Sequence, residues 1–427
     1  MNYKLYNRLD TSSVTAGDST DAGETKVCRE KRQLNMKTND QNEGVNTPPR
    51  HAFQLGLHGL RCGLLAAMLL TGLLTSVAPA QCGAPGVGGK RGVDVMQVNL
   101  YVGGNLHRAI ALDPTDPNYP NNLVVAVTGI FYEMVASQPS VRIQGVAEQI
   151  AARMPDIVSV EEASLVRIQS PGDLLYGGKT PATNVVYDYL QMLTEALAAQ
   201  GAHYKVAAVT YGFDPEMPMF NLQTGTIDDA RLTDREAILV RTDLPPGQFQ
   251  AANPQGGNFS NVVVTATGLP LWYGWCSVDV FVRGQNFRYI CAHLTEETAP
   301  AIQVLEAQEL LDGPANVELP VMIVGDFNAD PFGRDGSIAY GLFPAAGFND
   351  AWAVLHPEIS AEGLTWGHDE YLTNPAASFD RRIDLVFYKG AGFVPMQADV
   401  VDMELGRTQP PLWASDHASL SADFLLQ

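Results

Sequence analysis

Apolar segments that read as buried strands recur along this chain, and nearly all of them stop on a polar side chain. VDVMQVN ends at Asn99, DIVSVEE at Glu162, FRYICAH at His293, and VMIVGDFN at Asp326 and Asn328. Asp384 sits in RRIDLVF, and Asp416 and His417 precede SLSADF. Helix-period stretches at 141–154, 185–200 and 301–311 fall between these strands. Strands interleaved with helices predict an α/β fold with mixed sheets. In such folds strand ends collect on one edge, and ligands bind there. Turn chemistry explains any single polar end equally well, because Asx residues turn and cap chains. Their recurrence is the signal.

The folded part is expected to begin near residue 92. LLAAMLLTGLLTSV (64–77) has the length of a signal-peptide core, follows Arg50, His58 and Arg61, and precedes the small-x-small site Ala78-Pro79-Ala80. Residues 1–80 therefore read as a polar leader plus a secretory signal, with Met36 as an alternative start, and the mature chain is expected in the periplasm or medium. A membrane anchor is the competing reading, but the run is shorter than the roughly 18–20 apolar residues of a span. Gln81 before Cys82 disfavours a lipidation site. QCGAPGVGGKR (81–91) reads as a Gly-rich linker, and 92–427 as the functional domain.

Charge narrows the partners. Without residues 1–80 the chain keeps 18 Lys/Arg against 40 Asp/Glu, a formal net charge of −22. Such acidity argues against a broad basic footprint for duplex nucleic acid or anionic membrane, although bound metal ions offset acid locally. Of the cysteines, Cys276 and Cys291 lie in WCSVDVF and FRYICAHL, which flank the turn Arg283-Gly284-Gln285-Asn286. A hairpin places them face to face. In an exported chain this leaves two readings open, a disulfide or two buried thiols. The Pro- and Gly-rich stretches across 172–268 read as surface loops.

VGDFNADP invites a calcium-loop reading, with Asp326, Asn328 and Asp330 at the first, third and fifth places. It fails at Pro331, where the turn needs Gly, and at Ser337, where the twelfth ligand needs Glu. Strand alternation puts Glu161 on the opposite face from Glu162 and favours Glu162 as the working acid. His107, His203, His356 and His368 match no motif and read as structural or exposed. LWYGW (271–275) reads either as a lipid-inserting edge or as the start of a buried strand.

VGDFNADP, RIDLVF and SDHAS, with the weaker VNL, DIVSVEEA and AHL ahead of them, resemble the endonuclease/exonuclease/phosphatase superfamily in order and separation over about residues 93–426. Glu161 stands where that pattern usually has Gln, and Ala292 where it usually has Thr. The resemblance implies a deoxyribonuclease I-like four-layer α/β sandwich, two packed mixed sheets flanked by helices. It also implies phosphoester hydrolysis by direct attack of water with Mg²⁺, or Mn²⁺ or Ca²⁺. On it, Glu162 is the principal metal ligand with Asn99 and Asp416 nearby. Asp326 orients the attacking water or a second cation, Asn328 bonds the phosphate, His417 pairs with Asp384, and His293 is a second active-site histidine. Trp352 and Trp366 are supporting aromatics. A hard divalent cation prefers oxygen ligands and leaves room for phosphate oxygens, and a carboxylate-held histidine has a fixed tautomer and raised basicity. The expected substrate is a phosphodiester, nucleic acid first and a phospholipid head group second, with a phosphomonoester or a silent binding protein on the same fold as further alternatives. A monomer is expected.

Overall fold

The computed structural model describes residues 92–334, 336–358 and 362–427. The expectations for the leader (1–80) and the linker (81–91) lie outside the described residues.

β1 (Gly92–Asn99) leads through α1 (His107–Ile110), α2 (Tyr119–Ala136) and α3 (Pro139–Arg153) to β2 (Ile157–Glu161). β3 (Leu165–Gln169), β4 (Asn184–Asp188), α4 (Tyr189–Ala199) and β5 (Tyr204–Tyr211) follow, then β6 (Glu216–Phe220), β7 (Ile227–Thr233), β8 (Arg235–Arg241) and β9 (Phe249–Asn258). The two-residue strands β10 (Val263–Val264) and β11 (Pro270–Leu271) precede the hairpin β12 (Gly274–Val282) and β13 (Gln285–His293). α5 (Pro300–Asp312) crosses to β14 (Val321–Asp326), and α6 (Leu342–Ala345), β15 (Asn349–Asp350) and α7 (Ala351–Leu355) lead to β16 (Asp384–Lys389), β17 (Phe393–Val400) and β18 (Leu420–Leu426).

Two six-stranded sheets result, ordered β17-β18-β1-β2-β8-β5 and β15-β16-β14-β13-β12-β9. β1 pairs in parallel with β2, and β13 with β14; each parallel pair is joined by a crossover that contains helices, as parallel pairing requires. Val93, Val95, Ile238 and Val240 of the first sheet pack against Val278, Tyr289, Val324 and Val386 of the second. Met96, Val98, Val158 and Val160 on the opposite face of the first sheet meet Ile143 and Ile150 of α3 and Leu193 of α4. Ile290, Ile323 and Phe387 meet Ala307 and Leu310 of α5 on the far side of the second. Helix, sheet, sheet, helix is the four-layer α/β sandwich expected from the sequence.

The two faces of β1 obey period-two alternation: odd positions enter the space between the sheets and even positions meet the helices. The same rule holds for Tyr289 and Cys291 of β13, Met322 and Val324 of β14, and Ile238 and Val240 of β8. It therefore fixes which side chains lie at the ends of the inter-sheet columns.

Three expectations differ. Besides the expected helix, residues 172–268 hold the strands β4 to β10 where loops were expected, and β4-β3-β7-β6 form a separate four-stranded sheet. β9, at a sheet edge, is largely exposed and has no apolar run to read, and the Val185-Val186-Tyr187 run of the edge strand β4 was read as the start of the following helix. The helix expected from residue 185 begins at Tyr189, where the Asp188 side chain accepts from the Gln191 amide at 3.1 Å. α2 was not anticipated; it packs Val127, Ile130 and Met134 toward the extra sheet. Cys276 and Cys291 do face each other across the hairpin, and both are free buried thiols.

One cross-strand pair opposes the fold. Asp94 of β1 lies directly opposite Asp423 of β18, an unfavourable register for like charges. Burial, Asp423 and Asp156 push the Asp94 carboxyl up to about 7, against the pull of Arg283 and Arg241. In the unfolded chain it titrates near 3.9, so between about pH 4 and 7 the folded state binds the extra proton and stability falls as pH rises. Asp423→Asn is expected to flatten this slope and to add about 0.2–1 kcal/mol at pH 8. Urea unfolding at pH 5 and pH 8 checks it; an unchanged slope in the variant refutes it.

Candidate active site

Polar side chains occupy the last inter-sheet positions of the central strands. Gln97 and Asn99 end β1, Glu161 ends β2, His293 ends β13, Asp326 ends β14, and Asp384 opens β16. Register sets them side by side: His293 beside Asp326, and Asp326 beside Asp384. Gly325 permits this close approach, since a Cβ there would lie 1.9 Å from the Ala292 carbonyl oxygen.

Asp326 is the junction. Asn99 Nδ2 donates to Asp326 Oδ2 at 3.1 Å and to Glu162 Oε1 at 3.1 Å, tying the two sheets together. Nε2 of His293 and Nε2 of His417 each lie 3.6 Å from Asp326 Oδ2. The Asn328 amide donates to Asp326 Oδ1 at 2.9 Å, in a turn that gives Asn328 a φ of 47°. Asp384 holds Nδ1 of His417 at 3.0 Å, and Asp416 Oδ1 lies 4.0 Å from Nε2. All eight residues named from the sequence, Asn99, Glu162, His293, Asp326, Asn328, Asp384, Asp416 and His417, thus belong to one cluster.

Glu162 follows the end of β2 in the left-handed region, at φ 52°. Strand alternation ends there and frees its carboxylate to accept from Val102 N and Asn99. Glu161 stays in the column beneath: Gln97 Nε2 bridges it to Asp384, and the Cys291 thiol donates to it at 3.2 Å. Burial pushes its carboxyl well up, so it supports the site in its neutral form.

The two histidines are poised differently. Burial lowers the His417 pKa, but Asp384, Asp416 and Asp326 outweigh it and hold the group well above its usual range, as a cation near neutral pH. For His293, burial and the neighbouring His417 bring the pKa down to about 3. Asn328 Nδ2 donates to Leu294 O at 3.0 Å and lies 3.2 Å from His293 Nε2, so this nitrogen accepts and Nδ1 carries the proton. Both amide hydrogens of Asn328 are engaged, and a phosphate contact requires one bond to be given up.

His293 Nδ1 points at Glu236 Oε1, 3.8 Å away. The sequence reading missed Glu236, although the signal was present in REAILVR: it shares the parity of Ile238 and Val240 and is the first inter-sheet position of β8. Asp234, Glu236 and His293 come close enough to hold a cation, and neither His293 Nδ1 nor either Glu236 carboxylate oxygen has a hydrogen-bond partner among the described residues. Arg142 was also missed. It is fully buried on α3 and donates to the carbonyls of Leu100, Tyr101 and Ala414, which flank Asn99, Val102 and Asp416.

A cleft of about 390 Å³ opens over the cluster. Its walls include Tyr101, Trp366 with Arg381 stacked 3.8 Å from its ring, and Tyr273 edge-on to His293 at 4.9 Å. His107, bonded to Glu296 at 2.7 Å, and His368, stacked on Trp413, also line it, whereas His203 is exposed and His356 bonds Ala398 O. Leu271, Trp272 and Tyr273 are half-buried cleft wall, and LWYGW runs into the start of the buried strand β12 at Gly274, the second of the two readings. Asp330 turns the chain away, accepting from Phe332 N and the Arg334 guanidinium.

The donors fit a hard cation. Glu162 and Asp416 are carboxylates whose pKa values are pushed up by burial first, with Asp416 adding to the rise at Glu162. A divalent ion held by them and the Asn99 amide oxygen would neutralise that buried charge.

Carboxylates, amides and histidines gathered over the ends of packed strands suit the hydrolysis of phosphoester bonds. The endonuclease/exonuclease/phosphatase family model matches residues 134–417, and the chain belongs to that family. Among solved structures it is similar to a family protein from Leptotrichia buccalis C-1013-b, at 13% identity over 78% of this chain and 99% of that one, TM-score 0.47. It is similar to a Bacteroides thetaiotaomicron family protein at 16% identity over 79% and 98%, TM-score 0.45. It is also similar to the human Nocturnin catalytic domain with bound sulfate, at 17% identity over 79% and 94%, TM-score 0.42. No curated protein matches the chain.

Proposed function

We propose that the protein hydrolyses a phosphodiester by direct attack of water, dependent on a divalent cation such as Mg²⁺ held by Glu162, Asp416 and Asn99. The observation that carries this reading is the convergence of Asn99, His293 and His417 on one carboxylate, Asp326. A bound cation supplies charge neutralisation for nonbridging oxygens. The protein groups do the rest. Burial pushes the Asp326 carboxyl well up, against the pull of His417, so the ionised group is a stronger base for the proton of an attacking water. His417, kept cationic and oriented by Asp384, suits a phosphoryl oxygen. His293, neutral and anchored by Asn328, suits hydrogen bonding or proton transfer at the opposite side of Asp326.

A compact phosphodiester is favoured over a polynucleotide by the cleft rim. Glu296, Glu297 and Glu370 line it, paired with His107, Arg381 and Arg108. Arg381 is the one arginine among its lining residues. Long nucleic acid needs a track of unpaired cations, which this rim does not offer.

Turnover of bis(p-nitrophenyl) phosphate by the purified mature chain is expected to stop with EDTA and return with added Mg²⁺ or Mn²⁺. Full activity in EDTA would remove the cation from the proposal. Plasmid nicking and choline phosphate release from liposomes, run in parallel, separate a nuclease from a phospholipid phosphodiesterase.

A further inference from the structure

An apolar cavity of about 70 Å³ adjoins the catalytic cleft. It lies between α2 and the extra four-stranded sheet, among Val127, Ile130, Met134, Val166, Met217 and Ala230. Leu106, Ile110, Phe213 and Leu232 line both spaces, so one wall is continuous from cavity to cleft. That wall is tied to the site at two points. Val102, which donates to Glu162, leads through Gly103 and Gly104 into α1; Phe213 O accepts from the amide of Asp234, beside Leu232.

We propose that this cavity takes the apolar chain of an amphiphilic phosphodiester whose phosphate sits over Asp326 and Glu162, a specificity site that rests on the phosphoesterase reading above. The chemistry of the lining selects the occupant: its accessible surface is almost wholly carbon, and only Arg231, held by Asp214, brings a charge to it. Water gains no partners in such a space, whereas each buried methylene is worth about fourfold in affinity. At roughly 30 Å³ per small group, the volume accommodates two or three methylenes before the chain must continue outside. The same α2-and-sheet unit exposes Val125, Phe220 and Leu222 to solvent, which suits the remainder of such a chain.

The test is a homologous series of alkyl p-nitrophenyl phosphodiesters from methyl to octyl, with the metal-loaded wild type. KM is expected to fall about fourfold per methylene over the first two or three beyond methyl and then level off, at nearly constant kcat. Ala230→Phe and, as a second filling variant, Ala109→Leu are expected to abolish the chain-length dependence while leaving methyl-ester turnover unchanged, which also reports an intact fold. A wild type that cleaves the methyl and octyl esters with equal KM overturns the proposal but leaves the phosphoesterase reading standing. If no ester in the series is cleaved, that reading fails. The cavity is then judged by calorimetry with octyl and methyl phosphate: tighter octyl binding, lost in Ala230→Phe, upholds it, and equal binding overturns it.

Discussion

Asp326→Asn is expected to lower kcat/KM for bis(p-nitrophenyl) phosphate about 10³-fold, which corresponds to ~4 kcal/mol of transition-state stabilisation. The change is isosteric and keeps an acceptor for the amide of Asn328, so the turn at the end of β14 survives. It removes the carboxylate that faces Nε2 of both histidines at 3.6 Å, and with it the proton acceptor and one of the three acids, after Asp384 and Asp416, that raise the His417 pKa. Stability should move in the opposite direction or not at all, because a carboxylate pushed well up by burial is costly to keep charged. Steady-state kinetics and a melting curve on the same preparation decide the matter. A wild-type rate would show that Asp326 is not part of the chemistry, and a collapsed melting temperature would show that it is structural.

Arg142→Met is expected to cost about 4 kcal/mol of unfolding free energy and most of the activity, although the residue touches no substrate. Its guanidinium is fully buried, satisfies the carbonyls of Leu100, Tyr101 and Ala414, and lies 5.4 and 5.2 Å from the ring centres of Tyr101 and Tyr189. Each carbonyl left without a partner costs about 1–3 kcal/mol. The segments it clamps carry Asn99 and Val102 on one side and Asp416 on the other, so their relaxation spreads the residues proposed to hold the cation. A lysine lacks the planar fork and is expected not to rescue. Urea unfolding measures the first effect, and the EDTA-titratable affinity for Mn²⁺ the second. Wild-type values for both would refute the clamp.

Much of the site was legible before any coordinates. Asn99, Glu162, His293, Asp326 and Asn328 stand where apolar strands stop, and Asp384, Asp416 and His417 where they begin; a polar residue at the end of an apolar strand is visible in one dimension. The central sheets were legible for the same reason: both faces of their strands are buried, so VDVMQVN and VMIVGD are almost continuously apolar. The extra sheet and the edge strand β9 were not: β9 is exposed, polar and Gly-rich, and the strands of the extra sheet are short runs of five to seven residues that mix apolar with charged or polar residues.

The sequence by itself determined the fold class, the order of the central strands' polar ends and the chemistry those ends share. Local apolar periodicity and residue type are properties of neighbours along the chain, and no contact is needed to read them. Only the tertiary structure decided which acid backs which histidine, that Glu161 supports while Glu162 faces the cleft, and that Arg142 and Glu236 belong to the site at all. Those assignments depend on the register between strands and the spacing between sheets, where residues far apart in sequence, such as His417 and Asp384 or Asn99 and Asp326, come within 3.0–3.1 Å. A left-handed turn at one residue, Glu162, then redirects a carboxylate that strand alternation alone cannot place.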